Sequence, residues 1–446
     1  MSNLRTNLVI GIGLALAAAA CDPNKVIKVP TPDSLSPGSL GSAASLPALE
    51  NGALAQFQIM YSGGADQVNN GHEGFINITG LFTDEFIDLE TFTTRQQIDA
   101  RSALPSNGTL KGLFIDLTQA RAIADKADAG FAAFAPADSG RSTVLALDAY
   151  AYTFFAEYYC EGVPVSSISN SGQITFGVPL TREQLLTIAA AKFDSSITIA
   201  TATGNATTLA LAQVGLARAL VDSNDYASAA TVAAAVPSGY VYLIGASTNT
   251  PFENNGVWNY TLNFAGFGVS DSEGTNGLPF VSDSDPRVPT LNTHALGVGR
   301  QPDTLIAQLL YPTQASPTPL ATYTEAQLII AENDLRTGNA AGWLAILNAL
   351  RAGFPGPGTL APLVDPGTAA GRVNLHFHER AFWLYLTGHR LGDMRRLLRQ
   401  YGRAASTVYP IGVSVNGIPY GTDVEFQISE DEQNNPNFHG CLNLNP

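Results

Sequence analysis

Apolar residues recur every three or four positions over much of this chain, which is the spacing of one buried face of an α-helix. Near the C-terminus, Phe377, Ala381 and Leu384 follow the i, i+4, i+7 pattern, and a second stripe begins at Leu391 after an interruption at Thr387-Gly388. This periodicity predicts helices over residues 46–61, 110–129, 142–159, 181–200, 209–223, 226–235, 323–336, 340–352, 373–387 and 392–401.

Several of the predicted helices form pairs that are joined by short polar turns, such as Asp222-Ser223-Asn224-Asp225 and Thr337-Gly338-Asn339. Small residues such as Ala217, Ala219 and Ala331 recur inside these helices and allow the two members of a pair to approach closely. Stacked helix pairs of this kind are the basis of tetratricopeptide solenoids. We therefore expect a mainly α fold, a tetratricopeptide-like helix-hairpin array.

Two stretches interrupt the helical pattern. Residues 240–311 and, less strongly, residues 61–106 are rich in Gly, Asn, Ser, Asp, Pro and aromatic side chains. Long segments with little secondary structure inside a compact body are usually functional. The sequence therefore predicts a folded body over residues 47–446 in which loop-rich excursions, above all the region of about 240–311, carry the ligand contacts.

The N-terminus has the pattern of an export signal. Residues 8–20 are apolar, Arg5 is the only charged side chain before them, and small residues directly precede Cys21. Such a segment is typical of a secretory signal peptide and is too short for a membrane-spanning helix. We predict a signal peptide over residues 1–20, lipidation of Cys21, and a flexible tether rich in Pro, Ser and Gly over residues 21–46. The alternative is an ordinary cleaved signal in which Cys21 is incidental.

The composition restricts the classes of binding partner and the cellular compartment that we expect for this protein. Hydrophobic residues make up 45% of the 446 residues, charged residues make up 14%, and the formal net charge is −15. An acidic surface is repelled by nucleic acids and by anionic membrane surfaces, so we expect neither as a partner. With Cys21 assigned to lipid, Cys160 and Cys441 remain. They would form a disulfide in an oxidising compartment or, alternatively, stay as two buried thiols.

The sequence favours binding over catalysis. It contains no G-x-S-x-G, H-E-x-x-H or phosphate-loop motif, and nothing selects a catalytic pair among its 38 acidic residues. His376 and His378 would lie about 200° apart on a helix and could not share an ion. A weak calcium site at Asp283-Ser284-Asp285, or in the turn over residues 222–225, stays open. We predict no enzymatic activity, no metal and no cofactor.

Loops that bind a ligand do so through flat aromatic faces together with amides and carboxylates that hydrogen-bond to its polar groups. The aromatic segment after residue 252 and the early loop region supply such groups. The predicted ligand-binding residues are Trp258, Asn259, Tyr260, Phe264, Asp84, Phe92 and Arg95. Trp258 is the best single candidate. The alternative is that these aromatic residues fill small cores beneath the long loops.

Six segments, in order along the chain, resemble motifs of the SusD/RagB family of outer-membrane nutrient-binding lipoproteins. They are Thr83-Asp84-Glu85; Ala149-Tyr150-Ala151-Tyr152 with Gly162-Val163-Pro164-Val165; Ser284-Asp285-Pro286-Arg287; the helix pair over residues 325–351 with Glu332, Asn348 and Arg351; Glu379-Arg380 with Arg390, Asp393 and Arg396; and Tyr409-Pro410-Ile411 with Asn434-Asn435-Pro436-Asn437. The chain departs from the family pattern at Asp148, where Arg is usual, and at Thr387, where Glu is usual.

This resemblance implies a mainly helical fold with four tetratricopeptide-like hairpins, a loop-rich ligand surface and no catalysis. It also implies a lipid-anchored protein of the outer membrane, at the cell surface. The ligand would be an oligosaccharide or a peptide, and the partner would be a TonB-dependent outer-membrane barrel (SusC-like) to which the ligand is delivered. Two alternatives stay open: a self-assembling or scaffolding surface helical-repeat protein without a transport role, and an extracellular hydrolase.

Overall fold

The computed structural model describes residues 42–65, 72–168, 173–298 and 304–444. The predicted signal peptide, Cys21 and most of the predicted tether lie outside these residues. The folded unit described below begins at Leu46. Its helices are α1 (Leu46–Ser62), α2 (Phe75–Phe82), α3 (Thr93–Asp99), α4 (Gly108–Phe134), α5 (Ser139–Tyr158), α6 (Arg182–Thr203), α7 (Ala206–Asp222), α8 (Tyr226–Ala233), α9 (Gly256–Trp258), α10 (Tyr323–Thr337), α11 (Ala340–Ala352), α12 (Ala369–Trp383) and α13 (Arg390–Arg399).

Every helix predicted from apolar periodicity is present, and the largest difference in a boundary is at the end of α4, which extends to residue 134 instead of 129. Polar residues in the predicted turns cap these helices. Thr181 and Gln184 form a capping box at the start of α6. Gly338 ends α10 in the left-handed conformation with a φ of 81°, and the next residue, Asn339, caps α11.

The helices form an array in which neighbours in sequence pack together from α4 through α8, and α10 then packs against both α8 and α11. Close approach requires small residues at the contacts. A Cβ atom at Gly215 on α7 would lie 2.3 Å from the ring of Phe193 on α6. Although α6 is long and apolar enough to cross a membrane by length and composition alone, it packs between α5 and α7. The mainly α, tetratricopeptide-like array that the sequence predicts is confirmed.

Short antiparallel strand pairs occupy the stretches between the helix pairs. They are β1 (Phe86–Asp88) with β7 (Phe267–Val269), β2 (Val163–Pro164) with β5 (Pro179–Leu180), β3 (Ser167–Ile168) with β4 (Ile174–Thr175), β6 (Val241–Ile244) with β10 (Thr318–Thr322), and β8 (Thr290–Leu296) with β9 (Thr304–Gln308). The β1–β7 pair joins the early part of the chain to its middle region.

The two loop-rich stretches differ in how well they were predicted. Between residues 240 and 311, helix in the described part is limited to three short elements, as expected: the 3-10 turn Pro251–Glu253, α9, and the π-helical turn Asn259–Asn263 that continues α9. The expectation of loop over residues 61–106 is wrong in part, because α2 and α3 lie there. α2 has only eight residues, all of them buried, which is too short a window for a helical period to stand out.

Many residues that carry the family resemblance are buried partners in ion pairs. Arg390 binds both carboxylate oxygens of Asp84 at 2.7 and 2.8 Å. Glu85 accepts a hydrogen bond of 2.9 Å from the backbone N–H of Leu386. Arg287 and Arg351 both bind Glu379, the former at 2.8 Å and the latter at 2.6 Å. These contacts connect segments far apart in the chain.

A second set of motif residues joins α10, α12 and α13. Arg396 binds Glu332 at 2.7 and 2.9 Å and Asp393 at 3.0 Å. Arg380 binds the other oxygen of Asp393 at 2.8 Å. All four side chains are at most 5% exposed. We call Glu332, Arg380, Asp393 and Arg396 the α13 charge cluster; its place in the core indicates that these motif residues hold the fold together.

Candidate ligand-binding site

The pairing of β1 with β7 brings together the two segments that the sequence selects for ligand binding. Asp88 on β1 is opposite Phe267 on β7. Arg95 follows β1 on α3, and Tyr260 precedes β7 in the π-helical turn. The topology therefore juxtaposes residues that are 165 positions apart in the sequence.

Arg95 lies where these segments meet, and its side chain contacts both of them. One terminal nitrogen, Nη1, donates to both carboxylate oxygens of Glu90 at 2.7 Å. The other, Nη2, donates to Glu73 at 2.9 Å and to the Tyr260 hydroxyl at 3.2 Å. The guanidinium carbon lies 5.0 Å from the ring centre of Phe92 and 4.8 Å from that of Tyr260, within the range of a cation–π contact. We call Glu73, Glu90, Phe92, Arg95 and Tyr260 the Arg95 site.

Packing beneath the site fixes its position. The ring of Tyr260 is fully buried and stacks on Phe267, with ring centres 5.0 Å apart and an angle of 14° between the planes. Asn255 caps α9 by accepting a hydrogen bond of 2.8 Å from the backbone N–H of Trp258. Its side chain also donates to the Ser316 carbonyl at 2.8 Å, so the start of α9 is tied to the segment that leads into β10.

The Arg95 site holds more carboxylates than cations. Burial raises the pKa of Glu73 to about 7, although the guanidinium of Arg95 acts in the opposite direction. Burial likewise raises the pKa of Glu90. On β1, burial and the neighbouring Asp99 raise the pKa of Asp88 to about 8. Excess buried acid next to a single arginine thus makes the protonation of this region sensitive to pH near neutrality.

The predicted ligand-binding residues differ in whether a ligand could reach them. Phe92 is 57% exposed, and Trp258 and Phe264 are partly exposed. The ring of Phe264 meets Tyr260 edge to face at 6.2 Å. Phe92 contacts Arg95 and Phe264 contacts Tyr260, so two accessible aromatic rings border the buried Arg95–Tyr260 contact. Trp258, two positions before Tyr260, is a third partly exposed aromatic residue of that segment.

The other predicted contacts have internal roles. Asp84 is completely buried and bound to Arg390, so it supports the fold instead of facing a ligand. Asn259 is 1% exposed and accepts a hydrogen bond of 2.9 Å from Asn263. Tyr260 and Arg95 form the base of the site. Sequence reasoning missed Glu73 and Glu90, the two carboxylates that hold Arg95 in place.

The remaining candidates lie elsewhere in the molecule. Cys160 and Cys441 are joined by a disulfide with a Cα–Cα distance of 5.8 Å. His376 is buried near Glu332, at 3.5 Å, whereas His378 stacks on Phe382 with ring centres 4.5 Å apart. Asp285, from the weak calcium candidate, is bound to Arg287. Within the described ranges no group of three or more His, Cys, Asp or Glu side chains has a geometry that could hold a metal ion.

Comparison with known proteins gives a clear result at the level of structure. No family model matches the chain, and no curated protein matches its sequence. A SusD-like carbohydrate-binding protein from Bacteroides fragilis matches with a TM-score of 0.68 and 15% identity, over 90% of this chain and 99% of that chain.

Two surface glycan-binding proteins give similar values. Surface glycan-binding protein A from Bacteroides uniformis matches with a TM-score of 0.65 and 16% identity, and the protein of the same name from Bacteroides thetaiotaomicron, in complex with laminarihexaose, with a TM-score of 0.65 and 12% identity. Each covers 90% of this chain and 99% of its own. The chain therefore has the SusD-like fold, as its sequence motifs led us to expect.

Proposed function

We propose that this protein is a lipid-anchored surface glycan-binding protein that captures an oligosaccharide and delivers it to a TonB-dependent outer-membrane transporter. The observation that carries the proposal is the pair of accessible aromatic rings that border the buried Arg95–Tyr260 contact, Phe92 against Arg95 and Phe264 against Tyr260. Trp258 is a third partly exposed aromatic residue, two positions before Tyr260 in the chain. The proposal is supported by the fold, which is shared with proteins described as carbohydrate-binding. The location in the outer membrane is supported by Cys21, which directly follows small residues at the end of the predicted signal peptide.

Binding at this surface would rest on stacking. A pyranose ring presents a face of C–H groups that packs on an aromatic ring, and its hydroxyl groups bind nearby polar atoms. The Arg95 guanidinium is held by Glu73, Glu90 and Tyr260, so it keeps the ring of Phe92 in a fixed position without requiring a charged ligand. Both carboxylates at the site bind Arg95, which fits a structural role better than proton transfer to a substrate.

The first test is direct binding by isothermal titration calorimetry with laminarihexaose, maltohexaose and cellohexaose. We expect Phe92→Ala and Trp258→Ala to weaken binding of the recognised saccharide about tenfold or more, because each removes a stacking face. The matched control is Phe134→Ala, which removes a phenyl ring that is 45% exposed at the far end of α4. Unchanged affinity in both site variants, with intact thermal unfolding, would remove this surface from the proposal.

The delivery role needs a separate test. Tagged protein isolated from gently solubilised outer membranes should carry a large β-barrel protein in stoichiometric amount. Cys21→Ala should release the protein from the membrane fraction, because the acyl chains that anchor it would be lost. Abundant self-association without a barrel, measured by light scattering, would favour a scaffold protein instead.

A further inference from the structure

A second cavity lies on the helical array, away from the Arg95 site. It has a volume of about 550 Å³ and is enclosed by the start of β6, the first turns of α10, the end of α11 and the end of α12. This volume is in the range of small-ligand pockets, about 300–1,000 Å³. The cavity shares no lining residue with the Arg95 site. We call it the Gln327 cavity.

The described lining of the Gln327 cavity has no side chain that is charged at neutral pH. Among the described residues that line it there is no Asp, Glu, Lys, Arg or His. This is notable because the chain as a whole has a formal net charge of −15. A ligand that carries a phosphate, carboxylate or ammonium group would find no opposite charge here, and burying its charge would be costly. The cavity therefore selects for an uncharged ligand.

One wall of the cavity is polar. Tyr323, Thr324 and Gln327 lie on the first turns of α10, and all three are partly exposed. The Tyr323 and Thr324 hydroxyls and the Gln327 amide form no side-chain hydrogen bond with any described residue. These three side chains can both donate and accept hydrogen bonds. They therefore supply uncharged hydrogen-bond donors and acceptors, both of which a sugar hydroxyl group needs.

The opposite wall is apolar and includes an aromatic ring. Ile346 and Leu350 contribute aliphatic surface from α11, and Trp383 closes the cavity from the end of α12. The Trp383 ring is held in place by Arg287, whose guanidinium carbon is 5.1 Å from the ring centre, and by Phe354 at 5.9 Å. The indole N–H of Trp383 is buried and has no hydrogen-bond partner among the described residues. A buried donor without a partner is costly unless a ligand or water accepts from it.

We infer that the Gln327 cavity is a second saccharide-binding site, which takes a neutral pyranose unit between the indole of Trp383 and the polar side chains of Tyr323, Thr324 and Gln327. The inference takes from the proposed function only the class of ligand, a neutral oligosaccharide. It does not depend on binding at the Arg95 site, since the two sites have no residue in common.

The three tryptophans allow the two sites to be tested separately. Trp343 is completely buried in the core, Trp258 lies in the segment of the Arg95 site, and Trp383 lines the Gln327 cavity. We would titrate the purified full chain and its Trp258→Phe and Trp383→Phe variants with laminarihexaose, maltohexaose and cellohexaose, and follow tryptophan fluorescence. The expected result is a saturable change that persists in each single variant, arising from Trp383 in Trp258→Phe and from Trp258 in Trp383→Phe, and that disappears when both substitutions are combined.

Contact residues are tested in the Trp258→Phe background, where the fluorescence change reports on the cavity alone. Gln327→Ala and Tyr323→Phe should each weaken the titration about fivefold, because each removes one hydrogen-bonding group from the ligand. Asn333→Ala is the matched control, since it also shortens an amide side chain on α10 but lies outside the cavity. Circular dichroism checks that every variant is folded.

Each remaining outcome bears on the inference. A fluorescence change that is lost in Trp258→Phe and kept in Trp383→Phe would overturn the cavity as a saccharide site and support the Arg95 site. No change at Trp383 with any of the three hexasaccharides, or equal weakening by Gln327→Ala and Asn333→Ala, would also overturn it. Binding at Trp383 alone would uphold the inference while removing the Arg95 surface from the proposed function.

Discussion

Two regions of this protein contain buried arginines bound to carboxylates, and they differ in the balance of charge. The α13 charge cluster places Arg380 and Arg396 against Glu332 and Asp393. The region around β1 places one arginine, Arg95, against Glu73 and Glu90, with Asp88 nearby. The first cluster is balanced and the second has an excess of acid. Similar ion pairs can thus form either a stable core or a pH-sensitive region, and the ratio of carboxylates to arginines decides which.

The pKa values follow this balance. Burial disfavours ionisation of Glu332, but Arg396, His376 and Arg380 together outweigh it and lower the pKa of Glu332 well below its ordinary value. In the same way Arg380 and Arg396 overcome burial and lower the pKa of Asp393 to about 2. Near β1, burial dominates and the pKa of Asp88 rises to about 8. Carboxylates of the α13 charge cluster therefore stay ionised at neutral pH, whereas Asp88 near β1 retains its proton.

The largest effect should come from breaking the balanced cluster. Arg396→Ala leaves Glu332 and Asp393 buried with too little compensating charge, so we expect the free energy of unfolding to fall by about 3–5 kcal/mol. Urea denaturation followed by circular dichroism measures this loss. Arg372→Ala, which breaks a solvent-exposed pair with Asp365, is the control and should leave stability unchanged. Equal effects of the two substitutions would contradict a core role for the α13 charge cluster.

Removing Arg95 should lower the free energy of unfolding by a smaller amount, and this amount should depend on pH. Glu73 and Glu90 lose their cation in Arg95→Ala, but both can take up a proton because burial already raises their pKa values. We expect a loss of about 1–3 kcal/mol at pH 8 and a smaller loss at pH 5, where Glu73 is neutral. Urea denaturation at the two pH values tests this. A loss that is the same at both would show that the acids do not titrate in this range.

A smaller change in the free energy of unfolding should follow from substitution of Asp88. Its pKa is about 8 in the folded state and about 4 in the unfolded chain, so the folded state binds more protons between these values. The stability that Asp88 contributes is therefore present below about pH 4 and is lost as the pH rises through 8. Asp88→Asn should flatten the decline of unfolding free energy between pH 6 and 9 by about 1 kcal/mol or more. An unchanged slope would contradict a protonated Asp88.

In the α13 charge cluster, the contribution of Asp393 to the free energy of unfolding should change with pH in the direction opposite to that of Asp88. Because the pKa of Asp393 is about 2 when folded and about 4 when unfolded, its contribution is present above pH 4 and is lost as the pH falls through 2. Asp393→Asn should remove this part of the acid-induced loss while lowering stability at neutral pH. Thermal unfolding followed between pH 2 and 7 distinguishes the two effects.

The helical array could be predicted because its signals are local. The turn at Gly338-Asn339 gives the start of α11, and apolar spacing gives its end, so the predicted range of 340–352 is confirmed. Helix α2 escapes the prediction because eight residues are too few for a helical period to stand out. The family motifs were also readable from the sequence, but their role was not, since it depends on partners distant in the chain.

The candidate site could be predicted only in part for the same reason. Phe92, Arg95 and Trp258 were chosen from local composition, and the β1–β7 pairing that joins their segments is not visible in either one. Asp84 was chosen as a ligand contact because nothing near it in sequence reveals Arg390, its partner 306 positions away. Glu73 and Glu90 could be assigned to Arg95 only after the fold had brought all three together.

The disulfide between Cys160 and Cys441 would hold the chain together after a cut in its backbone. It closes a span of 281 residues. Residues 354–368, between α11 and α12, lie within that span, are rich in Pro and Gly, and are largely exposed. A protease cut there would break the backbone but leave the two fragments covalently joined. Such a nicked chain would run as one species on a non-reducing gel and as two after reduction, and both fragments would stay together in one particle.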